Sequence, residues 1–72
     1  MMFNDNLNKY RKQKGLSQEE LAFRLGVSRQ SVSKWESGQS TPELERIIEI
    51  ADLFGISLDE LIGHESNDYV TV

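Results

Sequence analysis

No cysteine occurs in the 72 residues, so the chain offers neither a disulfide nor a thiolate metal site. Histidine occurs once, as His64, with no second imidazole to share an ion or a proton. Apolar runs are short, none approaching the roughly 20 residues that a membrane-spanning helix needs. No signal peptide is visible, which makes a cytoplasmic location the default expectation. A Gly-rich phosphate loop and a nucleophile motif are both missing. Glu19-Glu20 and Asp59-Glu60 resemble paired catalytic carboxylates, but each pair opens a helix, where capping and the helix dipole account for it. These absences exclude the common catalytic constellations and imply no cofactor, no metal and no membrane.

What is present is punctuation. Five glycines, at 15, 26, 38, 55 and 63, each follow a segment with helical periodicity, and this regular spacing predicts an all-α domain. A first helix is expected over about residues 4–14, capped by Asn4 or Asp5, with Phe3, Leu7 and Tyr10 on its buried face. Ser17 and Glu20 form a capping box that starts a second helix, with Leu21, Ala22 and Leu25 inward and Gly26 as its stop. Val27 is expected to plug the turn, and Ser28 caps a third helix. Thr41 is expected to cap the fourth, with Pro42 in its first position. Leu44, Ile47, Ile48, Ala51 and Phe54 form its predicted core stripe, with Ile50 at the flank and Leu53 off it. A second capping box, Ser57 and Glu60, starts a short fifth helix.

The third helix has two unlike faces. At about 100° per residue, Arg29, Gln30, Ser33, Lys34 and Ser37 fall within an arc of about 140°, with Val32 and Trp35 opposite. Arg and Lys suit the acceptors of guanine and Gln the donor–acceptor edge of adenine, so this face fits a DNA major groove. A plain solvated polar face is the competing reading. Trp35 falls on the core side, whereas Phe23 points away from Leu21 and Leu25 and reads as exposed.

Three runs together resemble the Cro/lambda-repressor class of helix-turn-helix proteins, also called the xenobiotic-response-element family. They are Leu16-Ser-Gln-Glu-Glu-Leu-Ala, Leu25-Gly-Val-Ser-Arg-Gln-Ser-Val-Ser-Lys-Trp-Glu-Ser-Gly followed by Pro42, and Ile50-Ala-Asp-Leu-Phe-Gly-Ile-Ser-Leu-Asp-Glu-Leu-Ile. The likeness covers about residues 4–63. It implies a compact five-helix, lambda-repressor-like domain over residues 1–63 and a tail, linker or short strand over 64–72. It implies sequence-specific binding of double-stranded DNA by a transcriptional regulator, expected to be a repressor acting as a homodimer on a near-palindromic operator.

By the same likeness Arg29, Gln30, Ser33 and Lys34 read bases. Gln18 contacts a phosphate and braces the reading helix, and Ser28, Ser37, Gln39, Ser40 and Arg11 are further phosphate candidates. Gln39 departs from the basic residue that family members often carry there. Arg11 and Glu36 match positions that form an ion pair in some members, and Leu53, Leu58, Ile62, Tyr69 and Val70 are implied dimer contacts.

The net charge of −4 looks wrong for a DNA binder, but it is unevenly placed. Residues 1–41 carry seven basic and four acidic side chains, while residues 42–72 carry Arg46 against eight acids. The reading helix lies in the basic part, and local field governs approach to phosphate. The alternative is a protein-interaction module, an antitoxin or co-regulator holding a partner yet unknown, which Phe23, the acidic second half and the Tyr69-Val-Thr-Val tail would favour.

Overall fold

The computed structural model describes residues 3–63. They form five helices: α1 (Phe3–Gln13), α2 (Gln18–Leu25), α3 (Arg29–Ser37), α4 (Leu44–Phe54) and α5 (Leu58–Ile62). No strand occurs among the described residues. The segment 64–72, with Tyr69 and Val70, lies outside them.

Local chemistry sets the boundaries of α2, α3 and α5. The Ser17 hydroxyl accepts from the Glu20 amide at 3.0 Å, and Glu20 returns a bond to the Ser17 amide at 2.8 Å. Ser57 and Glu60 repeat this at the start of α5 with the same two distances. Ser28 caps α3 by accepting from Ser31 N–H at 3.1 Å. Between α2 and α3, Gly26 takes φ = 72°, a left-handed conformation that disfavours any residue with a Cβ. This lets Val27 N–H close on the Ala22 carbonyl at 3.0 Å, and Val27 turns toward the core.

The core joins all five helices: Phe3 and Leu7, Leu21, Ala22 and Leu25, Val32 and Trp35, Ile47, Ile50, Ala51 and Phe54, and Leu61. Two side chains tie distant elements by hydrogen bonds. Asn6 on α1 donates to the Glu60 and Leu61 carbonyls at 3.2 and 3.1 Å, holding the short α5 in place. Arg46 on α4 donates to the Leu25 carbonyl at 2.8 Å, closing the end of α2.

Three expectations are corrected. The first helix already includes Phe3, so Asn4 and Asp5 sit in its first turn rather than at its cap. The fourth begins at Leu44, with Glu43 as N-cap and no side-chain capping bond, so Thr41 and Pro42 lie outside it. A good cap contributes only about 1 kcal/mol, and packing overrides it. The stripe of α4 is Ile47, Ile50, Ala51 and Phe54: Ile50 is fully buried, while Leu44 and Ile48 are 61% and 42% exposed. Seven apolar residues occupy about 220° of this helix, more than one neighbour can cover, so periodicity locates the face but not its centre. With Leu53 also packed against the core and Arg46 bonded to α2, the helix is turned toward Ile50.

Candidate nucleic-acid interface

Because Val32 and Trp35 are buried, α3 is fixed in rotation and its opposite face is presented outward. Arg29, Gln30, Lys34 and Ser37 are exposed and Ser33 is half-buried. Arg29 and Gln30 occupy the first two positions of the helix, and its first turn holds no acidic residue, so its positive dipole end is uncompensated. Ser37 donates to the Lys34 carbonyl at 3.1 Å, and the Ser28 hydroxyl also lies 3.1 Å from that of Ser31. Gln39 and Ser40 are exposed just beyond Gly38.

Behind this face lies a charged hub. Arg11 Nε reaches Glu36 Oε2 at 2.6 Å and its Nη2 reaches Oε1 at 3.1 Å, while its Nη1 donates to the Leu16 carbonyl at 2.8 Å. Only 10% and 6% of the Arg11 and Glu36 side chains are exposed, so the pair is an interior one that ties α1 to α3. The Arg11 guanidinium is turned inward and engaged with Glu36 and the Leu16 carbonyl, the ion pair expected of it rather than an outward cation.

Glu36 Oε1 takes two more donors, Asn8 Nδ2 at 2.9 Å and Gln18 Nε2 at 3.0 Å. The other end of the Gln18 amide, Oε1, accepts from Arg29 Nη1 at 3.3 Å. One amide proton of Gln18 is left for an outside acceptor. Among the described residues no buried side-chain nitrogen or oxygen lacks a partner. Sequence reasoning misses Asn8 as part of this site. The available signal is its place three residues before Arg11, which puts both on one face of α1.

Burial raises the Glu36 pKa, but the hydrogen bonds from Arg11, Asn8 and Gln18 and the Arg11 charge outweigh it, and the net shift is downward from 4.5. A carboxylate with a depressed folded pKa contributes stability that is complete above its unfolded value and is lost as pH falls through the folded one. The domain therefore loses stability on acidification below 4.5, and the double variant Arg11→Met/Glu36→Leu, which lacks the titrating group, loses less. Denaturant unfolding at a series of pH values measures both; equal losses would contradict this cause.

The implied dimer contacts Leu53, Leu58 and Ile62 are half-buried and pack against the core, and Tyr69 and Val70 fall outside the described residues. Phe23 is 86% exposed on the outer side of α2. Among the described residues no group of three or more His, Asp or Glu is arranged to hold a metal ion, and no helix is long and apolar enough to cross a membrane.

Two short helices joined by a left-handed glycine, the second docked by one face and polar on the other, are the parts of a helix-turn-helix. The helix-turn-helix family model matches residues 7–61, and the chain belongs to the Cro/lambda-repressor-type helix-turn-helix family of DNA-binding transcriptional regulators. Over 65 residues it is 45% identical to the HTH-type transcriptional activator BcrR of Enterococcus faecalis, covering 90% of this chain and 32% of that protein. Over 68 residues it is 37% identical to the cryptic phage CTXphi transcriptional repressor RstR of Vibrio cholerae, covering 94% and 61%. The crystal structure of a transcriptional regulator from Listeria innocua superposes with a TM-score of 0.82 at 35% identity, over 88% of this chain and 59% of that one. The chain thus spans less than two thirds of the length of each of these proteins.

Proposed function

We propose that residues 1–63 bind duplex DNA sequence-specifically, with α3 in the major groove, as the reading domain of a cytoplasmic transcriptional regulator. The observation that carries this is the outward face of α3: a guanidinium, two amide or hydroxyl groups and an ammonium at Arg29, Gln30, Ser33 and Lys34, on a helix locked by Val32 and Trp35. These groups match base edges in kind and reach. Gln18, Ser28, Ser37, Gln39 and Ser40 surround them and contact phosphate, fixing register without reading sequence. The reading domain works as a homodimer through Leu53, Leu58, Ile62 and the tail, with its two α3 helices about 34 Å apart on a near-palindrome.

Repression is the proposed outcome, because blocking an operator needs nothing beyond occupancy. The repressor among the relatives above is matched over 61% of its length, the activator over 32%. A second reading, a module that holds a protein partner as an antitoxin or co-regulator does, is favoured by the exposed Phe23 ring.

Salt separates the two. Binding to duplex weakens linearly on a log–log scale, by about 0.9 per phosphate neutralised. Titration of labelled duplex by fluorescence anisotropy at several salt concentrations measures the slope. A flat response, or no binding at low salt, contradicts DNA binding and favours the partner reading.

A further inference from the structure

We propose that Asn8, on α1, is a positioning residue for Arg29: through Glu36 and Gln18 it holds the guanidinium in the orientation from which it reads a base. This rests on the DNA-reading function above and extends it to a side chain outside the helix-turn-helix.

Four side chains from three helices form the connection. Asn8 of α1 donates to Glu36 of α3, Glu36 accepts from Gln18 of α2, and Gln18 accepts from Arg29 at the start of α3. Its direction is forced. A carboxylate only accepts and a guanidinium only donates. Gln18 must therefore turn its NH2 to Glu36 and its oxygen to Arg29, since the flipped amide would meet both neighbours with like polarity. The charge on Glu36 thus removes the two-fold ambiguity of the amide, and the amide in turn selects one placement of the Arg29 side chain.

Asn8 acts on the oxygen that matters. Glu36 Oε2 takes Arg11 Nε, whereas Oε1 takes Asn8, Arg11 Nη2 and Gln18. The Arg11 fork fixes the carboxylate plane, and Asn8 is the additional α1 donor holding Oε1 where Gln18 meets it. Without Asn8 the carboxylate settles onto Arg11 and the Gln18 contact lengthens. The Gln18–Arg29 bond, at 3.3 Å the longest of the set, is then the first to be lost.

The test is base preference at the position read by Arg29, compared between wild type, Asn8→Ala, Arg29→Ala and the double variant on duplexes differing at that position. Wild type discriminates there by roughly 5- to 150-fold. Asn8→Ala lowers that ratio by at least about twofold, as coupling within one hydrogen-bond network does. In the Arg29→Ala background Asn8→Ala leaves the ratio unchanged, whereas with Arg29 present Asn8→Gln, which keeps an amide donor, retains part of the ratio that Asn8→Ala loses. Should Asn8→Ala melt below the assay temperature, Asn8→Leu, of similar size and without polar atoms, reads the same quantity. Equal weakening on every duplex would overturn the proposal and leave Asn8 a merely structural residue.

The free protein gives a readout without DNA. The Gln18 side-chain amide, one proton of which is hydrogen-bonded to the Glu36 carboxylate, shifts in the proton–nitrogen spectrum of Asn8→Ala, and the Arg29 Nε–H signal moves with it. Unmoved signals overturn the positioning claim whatever the duplexes show. Moved signals with no duplex bound by wild type support the relay and overturn the DNA-reading proposal instead.

Discussion

Glu36→Ala destabilises the domain by about 3–5 kcal/mol, the cost of leaving one member of a buried ion pair without its partner. The variant strands the Arg11 guanidinium, which is 10% exposed, and takes the acceptor away from Asn8 and Gln18. A chain this small has a total stability of roughly 4–10 kcal/mol, so the loss is a large part of the whole. At about 4–8 °C per kcal/mol for a domain of this size, the melting temperature falls by at least about 12 °C. Arg11→Met/Glu36→Leu recovers part of this, because replacing both charges with apolar groups of similar volume leaves no charge stranded, while the Leu16 carbonyl and the Asn8 and Gln18 amides still lose a partner. Thermal melts by circular dichroism decide it. A loss below about 1 kcal/mol for Glu36→Ala would mean that the pair behaves as a solvated surface bridge.

Arg29→Ala leaves the melting temperature nearly unchanged and relaxes preference at one base position, costing about 1–3 kcal/mol on the best duplex and little on others. The side chain is exposed and, among the described residues, its hydrogen bond is the one to Gln18. Gln18→Ala acts differently. It weakens binding to all duplexes through the lost phosphate contact, and it also relaxes the Arg29 position, because the amide that orients the guanidinium is gone. Competition titrations against duplexes varied one base at a time separate the two patterns. A uniform loss for Arg29→Ala would assign it to phosphate rather than to a base.

The parts of this molecule written in local chemistry are legible in the amino-acid sequence. Ser17, Ser28 and Ser57 are followed within three residues by the amides they cap, and the five glycines mark the helix ends. The outward face of α3 is legible for the same reason, since Val32 and Trp35 leave one rotation possible. The rotation of α4 is not, because its apolar arc is wider than its buried arc and the choice between Ile50 and Ile48 belongs to its neighbours. Nor is Asn8. Its place three residues before Arg11 puts it on the same face of α1, but nothing in that spacing points to the Glu36 carboxylate 28 positions later in the chain. The bond from Arg11 to the Leu16 carbonyl is equally invisible, since the likeness that pairs Arg11 with Glu36 carries no sign of a backbone acceptor.

Selection of bound duplexes from a random pool, followed by sequencing, tests most directly the claim that α3 reads DNA. The expected result is enrichment of a near-palindrome whose half-sites lie about one helical turn apart. No enriched sequence at low salt, with the protein folded, would contradict it.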